Sequence, residues 1–66
     1  MKGKEPAEQL WWQLKQAAAT ESSAVTLEQA AKRVRRIVGD IYAPGLPEAA
    51  LRFYAAEYVR MVKERS

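Results

Sequence analysis

Lys32, Arg33, Arg35 and Arg36 crowd into the run Lys-Arg-Val-Arg-Arg. Side chains of this kind do one sort of chemistry: they bind anions, by charge and, for arginine, through a planar fork that fits carboxylate or phosphate. Set along a rigid helix, such a row tracks the phosphates of a nucleic acid backbone. Arg52, Arg60, Lys63 and Arg65 follow later in the chain. Residues 1–31 carry three lysines and four glutamates, whereas residues 32–66 carry eight cations and four acids. An anionic partner is therefore expected to meet the second half. The same four cations are also what an ordinary solvated helix face carries, so the phosphate reading and the bland one stand level.

Parts for catalysis are lacking. The sequence has no cysteine and no histidine. That removes thiol nucleophiles, disulfides, cysteine-based metal sites and the commonest general base. Glu5 and Glu8 sit at the start of a helix, where the dipole accounts for them. Asp40 stands four residues after Arg36, an expected surface pair, and Glu57 lies near Arg60 and is expected to be solvated. Gly3, Gly39 and Gly45 are isolated, so no glycine loop cradles phosphate. The expectation is a non-enzyme, with no cofactor and no metal ligands.

The element that must position the basic row is Thr26–Tyr42. Its apolar residues Leu27, Ala30, Ala31, Val34, Ile37, Val38, Ile41 and Tyr42 recur at helical spacing. At about 100° per residue they fall within about 140° of arc, with the four cations opposite. Thr26 followed by Gln29 is a capping box, and Val25 is placed to staple against Ala30. Before it, Pro6 suits a first helical position, and the stripe Ala7, Leu10, Trp11, Leu14, Ala17, Ala18 predicts a helix ending near Glu21. Trp12 lies about 100° from Trp11, off this stripe. After it, Pro44 forces Ala43 out of helical geometry, Gly45 permits positive φ, and Pro47 opens a third helix. That helix has the stripe Leu51, Tyr54, Ala55, Tyr58, Met61, Val62, with Phe53, Ala56 and Val59 as a second apolar strip.

The pattern predicts an all-α, three-helix domain, with helices at about 6–21, 27–42 and 47–64 and a flexible arm at 1–4. The second and third helices, with the longest stripes, are expected to be the intimate pair. The 66 residues make one domain, and a core this small rarely gives more than about 3–5 kcal/mol of net stability. With no disulfide or metal to assist, self-association is the remaining compensation. Trp12, Phe53 and Val59 are surplus apolar surface, and a homodimer or a protein partner is expected to cover them. No apolar run approaches the roughly 20 residues of a bilayer span, and the start lacks a secretory signal, so a cytoplasmic protein without membrane contact is expected. The leading expectation is thus a self-associating protein-interaction or regulatory module. The alternative is a nucleic-acid-binding accessory protein using Lys32, Arg33, Arg35 and Arg36. The third helix opens Pro-Glu-Ala-Ala, poor material for reading base edges, so sequence-specific readout is not expected.

Overall fold

The computed structural model describes residues 5–42 and 45–65. The expected arm at residues 1–4, Ala43 and Pro44 of the connector, and the side chain of Arg65 lie outside the described residues. Three helices follow one another: α1 Pro6–Ala19, α2 Leu27–Ile41 and α3 Glu48–Arg65. The expected bounds differ from these by two residues at most. The larger difference, at the end of α1, has a local cause. The Thr20 hydroxyl donates to the Ala17 carbonyl at 2.7 Å, and the Thr20 and Glu21 N–H groups donate to the Ala17 and Ala18 carbonyls at 3.1 and 3.2 Å. These tight i to i−3 bonds occupy the terminal carbonyls and stop the helix before Glu21.

The start of α2 carries both halves of the capping box. The Gln29 N–H donates to Thr26 Oγ1 at 3.1 Å, and the Thr26 N–H donates to Gln29 Oε1 at 3.0 Å. Two of the helix's orphan donors are thereby satisfied within four residues. At the other end Tyr42 is extended, and Gly45 takes φ 129°, a conformation that side chains other than glycine's resist.

Three residues from each helix close the core: Leu10, Leu14 and Ala18; Ala30, Val34 and Val38; Ala55, Tyr58 and Val62. All nine lie on the expected stripes. Ile37 and Ile41 are half-buried against them, and α2 runs unbroken past Arg35. The α2–α3 contact is the broader one, with α1 laid against both. Two stripe positions differ from expectation. Ala7 is exposed, and so is Leu27, at 59 %. Each stands in the first turn of its helix, where a correct phase does not guarantee a neighbour to meet.

Gly39 lies inside α2, yet a Cβ built there would meet nothing within 4 Å. Its flexibility therefore weakens the helix without relieving any contact. Gly39→Ala is expected to raise stability by about 1 kcal/mol, read as a higher urea midpoint at unchanged slope. A loss of stability would mean that the last turn of α2 is not helical in solution.

Candidate interaction surfaces

The four cations of α2 are all exposed, but they are not equivalent. Arg33 Nε donates to Glu21 Oε2 at 2.5 Å. Arg35 reaches the Glu48 carboxylate at 3.3 Å, and Arg52 approaches the same oxygen at 3.9 Å. Lys32 and Arg36 have no ion pair with any described residue. The expected Arg36–Asp40 pair does not form: with the cation N-terminal to the acid, this is the less favourable order along a helix. Arg60 is held between Glu57 and Glu64. Glu57 is only 21 % exposed, where solvation was expected, and it pairs with the Arg60 guanidinium. The basic row is thus half committed to carboxylates of this chain, and each such pair reduces the charge offered to an outside phosphate.

One of these pairs ties the three helices together. The Tyr58 hydroxyl, deep between the elements, donates to the same Glu21 Oε2 at 2.6 Å. Glu21 is 13 % exposed. A residue just after α1 therefore accepts from α3 and α2 at once, although Glu21 and Tyr58 lie 37 positions apart. The Tyr58 bond holds the Glu21 carboxyl below its ordinary range, burial opposes this, and Arg33 adds to the lowering. Burial first, and then the carboxylate, push the Tyr58 hydroxyl well above its usual value. The Arg33 guanidinium is raised by its bond to Glu21. This cluster works as a clasp. Neither Glu21 nor Tyr58 stood out in the sequence beyond an inter-helix link and a core stripe.

The clasp has a pH signature. Glu21 has a lower pKa folded than unfolded, so its contribution is present above its ordinary 4.5 and is lost as pH falls through the folded value. Tyr58 has a higher pKa folded than unfolded, so its contribution is present below its ordinary 10.0 and is lost as pH rises toward the folded value. Stability should therefore hold a plateau between these limits and fall on both sides. Urea titrations across pH should show the acid limb flattened in Glu21→Gln and the alkaline limb flattened in Tyr58→Phe. Limbs unchanged in both variants would mean that other groups set the profile.

The aromatic residues form a second surface. Trp11 and Tyr54 meet edge to face at 5.5 Å and 74° across the α1–α3 seam. Phe53 continues the contact against Tyr54 at 5.2 Å and 75°. Trp11 packs against the core, while its neighbour Trp12 is 51 % exposed and Phe53 54 % exposed. By helical phase both exposed rings flank the seam that Trp11 and Tyr54 close. Val59, grouped with them in the sequence, is half-buried and packs against the core. Its place six residues from Phe53 rotates it about 120° around the helix, so it does not extend the exposed aromatic patch.

A third surface is a groove of about 540 Å³ between the first half of α2 and the first half of α3. Leu27, Ala31, Leu51 and Ala55 form its apolar lining. Among the described residues no cluster of acids converges as a metal site would require, and no helix is long and apolar enough to cross a membrane.

No protein-family model matches the chain, no curated protein matches its sequence, and no solved structure matches its fold.

Proposed function

We propose that the chain is a non-enzymatic protein-interaction module that self-associates, and that Trp12 and Phe53 anchor a protein partner across the α1–α3 seam. One observation supports this above the others: both rings are more than half exposed beside a core that closes without them. Aromatic rings are enriched at protein interfaces, and tryptophan is a frequent anchor there. Trp11 and Tyr54 hold that surface rigid from beneath, so little ordering is left to be done on binding. The commitment of Arg33 to Glu21, and the draw of Glu48 on part of Arg35's charge, favour this reading over the phosphate one. With Lys32 and Arg36 left, contact with about two phosphates would give a log–log salt slope near −1.8, half of what the full row would give.

The test is affinity capture by the wild-type protein and by Trp12→Ala/Phe53→Ala, with and without nuclease. A protein retained by the wild type, lost by the folded double variant and indifferent to nuclease is the expected result. Capture that nuclease abolishes, together with a steep salt slope on duplex DNA or RNA, would instead favour the nucleic-acid role for Lys32, Arg33, Arg35 and Arg36.

A further inference from the structure

The groove between α2 and α3 is not explained by the aromatic surface or by the basic row. Leu27 shares the helical phase of Ala30, Val34 and Val38, all buried, yet it stays 59 % exposed among the described residues. It is itself part of the groove's apolar lining, with Leu51 and the small residues Ala31 and Ala55, which leave room for a further side chain. An exposed leucine and an apolar hollow therefore share one face. That arrangement suits a two-fold contact, in which each copy inserts into the other.

The charges point to the same occupant. Arg35 and Arg52 both turn to Glu48, at 3.3 and 3.9 Å. Two guanidiniums thus share a single carboxylate and have donors to spare. Glu28 follows Leu27 directly and also borders the groove, and it makes no ion pair with any described residue. Insertion of Leu27 into a second copy would carry Glu28 to the arginines there. Each copy then supplies the carboxylate that the other lacks. A phosphate backbone would satisfy the arginines but would leave the apolar lining empty. The slab-shaped molecule measures 34 × 28 × 14 Å between outer Cα positions. A broad face of these dimensions has room for the roughly 800 Å² per partner that stable interfaces bury.

We infer that a second copy of this chain seats Leu27 in the α2–α3 groove, with Glu28 of each copy meeting Arg35 and Arg52 of the other. The inference rests on the reading of the chain as a self-associating module. It assigns self-association to the groove and leaves Trp12 and Phe53 to a different protein.

Sedimentation velocity from low micromolar to millimolar concentration tests it. The wild type should form dimers, and Leu27→Glu should weaken them by about 100-fold or more, because two-fold symmetry removes two buried leucines together. Leu27 is exposed in the first turn of α2, where a glutamate suits the dipole, so circular dichroism should show this variant folded. Glu28→Arg and Arg52→Glu should each dimerise poorly alone, and an equimolar mixture should recover a heterodimer. Recovery is a result that a merely structural role for these residues would not produce. A wild type that stays monomeric at millimolar concentration overturns the inference, as does a dimer indifferent to Leu27→Glu. Dimers lost in Trp12→Ala/Phe53→Ala but kept in Leu27→Glu would move self-association to the aromatic seam, against this inference. A monomeric wild type that still captures its partner through Trp12 and Phe53 would leave the interaction-module reading standing while this assignment falls.

Discussion

Tyr58→Ala is expected to leave no cooperatively folded protein at room temperature. Tyr58 is the largest fully buried side chain of the core. Truncating a buried aromatic residue to alanine costs about 3–5 kcal/mol, through lost burial and the cavity left behind. A single core of this size supplies about the same in total. The substitution also removes the donor that holds Glu21, releasing the link between α1 and α2 from α3. Far-ultraviolet circular dichroism during urea titration is the measurement, and a sloping signal without a transition is the expected result. Tyr58→Phe keeps the ring and loses only the hydroxyl, so it should cost about 1 kcal/mol and unfold with a clear midpoint. If Tyr58→Ala kept a sharp transition within about 1 kcal/mol of the wild type, α3 could not be packed as described.

Glu21→Ala should also destabilise the domain clearly, although it alters a polar residue in a link. It leaves the Tyr58 hydroxyl buried without an acceptor, which costs about 1–3 kcal/mol. In a domain of this size each kcal/mol lowers the melting temperature by about 4–8 °C. Glu21→Gln keeps an acceptor for Tyr58 and should lose less. The sharper test is the same alanine substitution made in Tyr58→Phe. There the orphaned donor no longer exists, so Glu21→Ala should do less harm than it does in the wild type. The difference between the two backgrounds measures the coupling. Equal losses in both would mean that the bond seen at 2.6 Å does not contribute in solution.

The two predictions differ in how visible their residues were beforehand. Tyr58 could be placed in the core because helical phase sets it on the face of Leu51, Ala55 and Val62. Its partner could not be named, because hydrogen bonding between residues 37 apart depends on how three helices are arranged, and periodicity carries no such information. Glu21 was legible only as the end of the first helix. The basic row shows the same limit. Sequence placed Lys32, Arg33, Arg35 and Arg36 on the outward arc, where they are. Which of them would find a carboxylate depended on where Glu21 and Glu48 arrived.

Local sequence settled the three helices, their ends to within two residues, the capping box at Thr26 and the positive φ at Gly45. These follow from interactions spanning a few residues: backbone bonding, side-chain caps and the phase of apolar positions. It also determined that Trp11 and Trp12 must part, since neighbours on a helix point in different directions. Only the packing of the helices sets Glu21 against Tyr58 and Arg33, draws Arg35 and Arg52 to Glu48, and leaves Leu27 more than half exposed in a groove. Each of these is a meeting between elements. The relative placement of helices is set by the fit of whole surfaces, and no local stretch of sequence encodes that fit.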